Sequence, residues 1–140
     1  MKIQPTSCLG LTLLALAACS SGKPQADLPP LVPVQGQVTR ASKPVTNGLL
    51  RFRLEPESPE SRDWVISAEI QPDGTFEIQT VHSLSQKRAK GAPTGTYKVT
   101  YTSSGDQTQG ARLELLTLPQ TVTIQSELKN LQVILPPKKS

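Results

Sequence analysis

An all-β fold, an antiparallel sandwich of about seven short strands, is what this chain of 140 residues predicts. Three observations point there. Apolar residues recur at every second position in short, separate runs. Glycine and proline signals interrupt those runs at close intervals. No stretch carries a 3.6-residue apolar period with caps, so a helical core is not expected.

The runs follow in chain order. Val34, Gly36 and Val38 alternate with Gln35, Gln37 and Thr39. Leu50, Phe52 and Leu54 alternate with Arg51 and Arg53. Trp64, Ile66, Ala68 and Ile70 alternate with Val65, Ser67 and Glu69. Phe76 and Ile78 flank Glu77, and Tyr97, Val99 and Tyr101 enclose Lys98 and Thr100. Val122 and Ile124 sit among Thr121, Thr123 and Gln125, and Leu131, Val133 and Leu135 close the series. Each run turns one apolar face inward and leaves the other to water, as antiparallel sheets do. Ala111 to Leu118 is apolar enough for a short helix, an extra strand or a packed loop.

The breaks between runs have their own mechanisms. In Pro72-Asp73-Gly74, proline presets one backbone angle and glycine takes the positive one. This predicts a tight hairpin between the third and fourth runs. Asn47-Gly48 is a second turn signal, and Pro93-Thr94-Gly95 leads into the strand that holds Tyr97. No internal repeat is evident.

The first 18 residues have the three parts of an export signal: Lys2, the apolar stretch Leu9–Ala18, and a cleavage site of small residues. The apolar stretch is about half of the roughly 20 residues that cross a bilayer. Leu16-Ala17-Ala18-Cys19 resembles the lipobox of bacterial lipoproteins. The resemblance implies cleavage before Cys19, a diacylglyceryl thioether on its sulfur and a third acyl chain on the new amino group, with acyl chains such as palmitate. Two or three chains hold a small domain firmly, at about 0.8 kcal/mol per buried methylene. Ser20 after the cysteine is permissive for the outer membrane in the enteric-type sorting rule. Residues 19–33 then read as the lipidated cysteine and a proline-rich tether, with Pro24, Pro29, Pro30 and Pro33 blocking helix and central strand. Extended at about 3.1 Å per residue, it would reach roughly 40 Å.

Loss of the leader leaves about 120 residues, the size of one domain. The two cysteines are Cys8 and Cys19, so the mature domain would carry neither a disulfide nor a thiolate metal site. The formal charge of +4 falls to about +3 without Lys2, and its cations are scattered along the domain. With aromatics at 4%, this is not the concentrated basic and aromatic surface of a nucleic-acid binder. Residues 137–140 form a basic tail whose Lys138-Lys139 reads as a solvated terminus.

A sequence of motifs supports a more specific reading. Gly36-Gln37-Val38, Lys43-Pro44-Val45-Thr46-Asn47-Gly48 and Leu50-Arg51-Phe52 open the domain. Asp73-Gly74-Thr75-Phe76 follows, and then Lys90-Gly91-Ala92-Pro93-Thr94-Gly95-Thr96-Tyr97-Lys98-Val99. In order and spacing, residues 34–136 resemble the carboxypeptidase regulatory-like domains, with their transthyretin-like (prealbumin-like) seven-strand sandwich. The likeness is closest to small lipoproteins of planctomycete-type bacteria. It implies an accessory module with no catalytic residue. It also implies that Pro44 and Val45 begin a return strand plugging one end, and that Tyr97 buries its ring with its hydroxyl at the edge. Transthyretin-like hydroxyisourate hydrolases need several histidines, whereas His82 is the only one here. A pilin-type isopeptide bond needs a first-strand lysine, which Val34–Arg40 lacks; Asn130 would supply only the other half.

Candidate chemistry is sparse. His82, in the polar run His82–Arg88, reads as a solvated loop residue. A lone imidazole supports neither a catalytic triad nor a transition-metal site. Glu55, Glu57, Glu60 and Asp63 could offer oxygens to calcium, but Pro56 and Pro59 restrict the loop, and a solvated acidic loop is the expectation. Trp64 could stack on a sugar, although its phase with Ile66 points it into the core. Arg51 and Arg53 fall on the outward face of their strand, where they could form a small anion patch.

The expectation is therefore a non-catalytic, lipid-anchored lipoprotein of the cell envelope, at the outer membrane or cell surface. It would act as a structural or protein-interaction module, with no cofactor, no metal and no nucleic acid. Its partners would be the membrane, through Cys19, and an envelope protein or glycan. The alternative is a surface module binding a carbohydrate or small ligand through Trp64, Arg51 and Arg53.

Overall fold

A computed structural model of the chain describes residues 28–104 and 113–138. The leader, Cys19 and most of the proline-rich tether lie outside the described residues, as do Lys139 and the start of the Ala111–Leu118 stretch. Among the described residues, ten strands follow in chain order. They are β1 (Val34–Arg40), β2 (Lys43–Pro44), β3 (Leu49–Leu54), β4 (Trp64–Glu69), β5 (Thr75–Glu77), β6 (Gln79–His82), β7 (Arg88–Lys90), β8 (Gly95–Thr102), β9 (Leu115–Ile124) and β10 (Leu128–Leu135). A 3₁₀ turn, Glu60–Asp63, precedes β4.

Two sheets pack face to face as a sandwich. In one, β1 is bonded to β10 on one flank and to both β2 and β5 on the other. The second runs in the order β7-β6-β4-β3-β8-β9, each pair antiparallel. The alternating residues meet between the sheets as expected. Val34, Val38, Phe76, Val133 and Leu135 face Leu50, Phe52, Ile66, Tyr97, Val99 and Ile124, all buried. Phe52 of the larger sheet meets Phe76 of the smaller, their centroids 6.3 Å apart, and Tyr97 meets Phe52 edge-on. Gly36 occupies an inward position of β1 that no other residue fits. A Cβ there would collide with the Leu131 carbonyl oxygen and stand 2.6 Å from the Phe76 ring.

Several details depart from the sequence expectation. The pairing of β1 with β10 is parallel, in register from Gly36↔Leu131 to Arg40↔Leu135. Parallel neighbours need a long crossover, and here everything between the first and last strands provides it. The 71–74 turn forms, with Gly74 at φ +86° and its N–H bonded to the Gln71 carbonyl. It does not close a hairpin, because β5 leaves β4 and pairs with β1. The chain from Thr75 to His82 is nearly continuous and changes sheets at buried Ile78, so its two halves serve different neighbours. Short β2 and the polar β7 add strands that the apolar pattern could not announce. The apolar stretch before Leu118 resolves as strand: β9 begins at Leu115 and runs on to Ile124.

Pro44 ends the two-residue β2 and is exposed, and Val45 follows outside the strand, so the return strand expected to begin at these two residues is already over there. β2 turns back on the end of β1, and Val45 is half-buried against the core. Tyr97 differs in one respect: its hydroxyl is not at an edge but donates internally to the Pro93 carbonyl, beneath the surface. The last residues before β1 are also fixed. Val32 exchanges both backbone hydrogen bonds with Ala92, at 2.9 and 3.0 Å.

Arg40 ties the two sheets together at one end. Its guanidinium forms a bidentate pair with Glu114, at 2.8 and 3.3 Å, and its Nε donates to the Pro136 carbonyl at 3.0 Å. The same group lies 5.8 Å from the Tyr101 ring centroid. The Tyr101 hydroxyl in turn donates to the Asn47 carbonyl.

Candidate functional site

The outer face of the larger sheet carries a groove of about 430 Å³, within the range of roughly 300–1,000 Å³ typical of small-molecule sites. Its floor is built by strand alternation. Because Phe52 points inward, Arg51 and Arg53 must point outward, beside Val65 of β4 and Thr100 and Thr102 of β8. Leu115 is cross-strand partner of Thr102 and stands 69% exposed at the margin.

One wall is the segment from Glu55 to Trp64, held by its serines. The Ser58 N–H donates to Ser61 Oγ, the Ser61 N–H to Ser58 Oγ, and the Ser61 hydroxyl to the Ser58 carbonyl. These bonds close the segment on itself and bury Ser61. The Trp64 N–H then donates to the Ser61 carbonyl, which ends the 3₁₀ turn and starts β4. Trp64 is half-buried: it packs against the core and also borders the groove. Arg62, exposed on the same turn, borders the groove as well.

All three residues singled out from the sequence, Trp64, Arg51 and Arg53, therefore line one groove. Sequence reasoning missed Arg62, Ser61 and Leu115. Arg62 could have been found from its place two residues before Trp64, but its burial-free loop context gave it no periodicity to betray a face. Among the groove's charges Arg53 is met by Glu57 at 3.5 Å. Arg51 and Arg62 have no charged partner among the described residues. The groove holds three guanidiniums against one carboxylate.

The acidic loop does not gather into a metal site. Glu55 pairs with Lys98 at 3.3 Å and Glu57 with Arg53, so those carboxylates are turned to different cations. Among the described residues, no three His, Asp or Glu side chains converge to hold an ion. His82 is not in a loop: it ends β6, half-buried, opposite Trp64. Its Nδ1 accepts the Ser85 N–H at 3.1 Å, which turns the ring toward stabilising the following bend. Asp73 is held below the usual carboxylate range by its hydrogen bonds from Thr75, a turn-fixing arrangement. Burial raises the hydroxyls of Tyr97 and Tyr101 above the ordinary tyrosine value, Arg40 partly countering the effect at Tyr101.

A second concavity, about 560 Å³, is lined from both sheets, by residues of β1, β5 and β10 and of β4, β6 and β7. Gln35, Gln37, Gln79 and Gln132 line it, with Glu77 paired to Lys90 at 3.3 Å. Its charges are balanced, and it offers little apolar surface to withdraw from water, so the Trp64 groove has the stronger driving force for a ligand. Comparison with known proteins returns no match: no family model, no curated protein and no solved structure aligns with this chain.

Proposed function

We propose that this chain is a non-catalytic lipoprotein of the cell envelope, anchored by lipid on Cys19, whose sandwich serves as a structural or protein-interaction module. One observation carries the proposal: a cysteine placed directly after Leu16-Ala17-Ala18, at the end of an export-type apolar run and ahead of a proline-rich tether. The proposal includes the outer membrane or cell surface as the location, and membership of the carboxypeptidase regulatory-like domains. Support for that membership comes from the two-sheet architecture and from the return of β2 at Pro44. Replacing Cys19 by alanine should move the protein from the membrane to the soluble fraction. Mass spectrometry of the native protein should find the leader removed and acyl chains on the sulfur. An intact leader, or a bare thiol, refutes the anchor.

A second reading, a surface module that holds a carbohydrate or small ligand, is favoured by the convergence of Trp64, Arg51 and Arg53 on one groove. Anchoring and ligand binding are compatible, and each has its own test.

A further inference from the structure

We propose that two copies of this chain pair antiparallel along the free edge of β10, joining their smaller sheets into one. The inference stands on the strand edges and does not depend on the lipid anchor.

The sheet edges differ in how they are guarded. An edge exposes unpaired N–H and C=O groups, and proteins blunt it with short strands, charges, proline or bulges. β2 has two residues, one of them proline, and β5 has three. β7 also has three, with Arg88 and Lys90 exposed on it. β9 is long, but its register slips where Pro119 interrupts it, between Thr117 and Thr121. β10 has eight residues and is paired on one side, to β1. Beyond Lys129 it holds neither a charge nor a proline. Among the described residues it is the one long edge left open, and Ile134 on its outer face is 69% exposed.

The sheets are also unequal in width. The larger is six strands across and the smaller three, because β2 and β5 share one flank of β1. Between β9 and β10 an uncharged groove of about 520 Å³ remains, with Leu118 and Val122 on one side and Leu131 and Val133 on the other. Val122 and Leu131 pack on the core yet stay half-buried. A strand added to β10 widens the smaller sheet and lays its inner side chains over that groove, withdrawing apolar surface from water.

β10 is itself the strand that fits. Leu131, Val133 and Leu135 lie on its inner face, and Asn130, Gln132 and Ile134 on its outer face. Inner side chains must meet inner ones, because a slip by one residue turns every side chain over. Centred on Gln132, the pairing sets Gln132 against its own copy, Leu131 against Val133 and Lys129 against Leu135. Charge suits the antiparallel sense. The edge begins after Glu127 and ends before Lys138, both exposed and without an ion-pair partner among the described residues. Reversal brings Glu127 of each copy beside Lys138 of the other. Centring on Val133 would move Lys129 next to Lys138 of the other copy, where like charges repel.

The test follows the mass of the full chain in detergent by sedimentation equilibrium, from about 2 to about 200 μM, with the expected result a concentration-dependent dimer. Gln132→Lys and Gln132→Glu each set like charges face to face on the two-fold axis. Each should raise the dimer dissociation constant at least about tenfold, and an equal mixture of the two should restore it, since Lys then faces Glu. Gln132 is exposed, so both variants should keep the parent's urea midpoint. A chain that stays monomeric at the highest concentration overturns the proposal and leaves the edge to a foreign strand. A dimer indifferent to both substitutions, or one that the mixture does not restore, also overturns it.

Discussion

Breaking the Arg40–Glu114 pair should destabilise this fold by an amount that its partial burial sets. The Arg40 side chain is 14% exposed and that of Glu114 25%, so the pair is neither a solvated surface contact nor fully buried. Exposed pairs contribute roughly 0–1 kcal/mol, and loss of one partner of a buried pair costs about 3–5 kcal/mol. Arg40→Met keeps most of the aliphatic stem but removes the two bonds to Glu114, the bond to Pro136 and the contact with Tyr101. The ring contact is worth about 0.5–1 kcal/mol. Pro136 is exposed, so its carbonyl can turn to water. The total for Arg40→Met is therefore about 2–3 kcal/mol, or a fall in Tm of about 10 °C. Glu114→Met should cost about 1.5 kcal/mol by itself. The double variant should be scarcely less stable than Arg40→Met, giving a coupling of about 1–2 kcal/mol. Equilibrium urea unfolding followed by Trp64 emission measures all four proteins. Strict additivity, or an Arg40→Met cost below about 0.5 kcal/mol, would refute the reasoning that this pair staples the sheets.

Two further substitutions probe the interior. Gly36→Ala should destabilise by at least about 2–3 kcal/mol, because the added methyl must displace the Leu131 backbone or the Phe76 ring; an unchanged urea midpoint would mean that the close approach is not real. Tyr97→Phe should cost about 1–2 kcal/mol near pH 7, where the Pro93 carbonyl loses its donor. The same variant should alter the alkaline limb. Burial raises the Tyr97 hydroxyl above its unfolded value near 10, so the folded state holds this proton after the unfolded chain has released it. Stability from this group is complete below about pH 10 and drains away as pH rises further. Urea midpoints between pH 7 and 11.5 should therefore fall less steeply in Tyr97→Phe than in the parent, Tyr101 accounting for the remainder; parallel curves would remove Tyr97 as the cause.

Much of the fold is readable from alternation alone, because a strand with one wet face writes its burial every second residue. Phe52, Ile66, Tyr97 and Val133 all sit on the faces their phase assigns. The partners of the strands are another matter. Nothing local distinguishes a Pro-Asp-Gly turn that closes a hairpin from one that sends the chain to another sheet. What decides is the long-range fit of Phe76 beneath Gly36, more than 30 residues away in sequence. The parallel pairing of β1 with β10 is hidden for the same reason, as is β7, whose Arg88 and Lys90 carry no apolar mark. At the site, the outward phase of Arg51 and Arg53 was legible, while their nearness to Trp64 required the β3–β4 register and a serine-locked loop.

The bridge between Val32 and Ala92 determines how a mechanical load would enter the domain. A tug on the chain ahead of Leu31 meets that two-bond clasp first and then runs lengthwise along β1. Because β1 is flanked by β10 on one side and by β5 and β2 on the other, its bonds resist together, in shear, and do not peel one after another. A domain towed by its leading end in this way yields late and all at once, which suits a body that must keep its shape under traction.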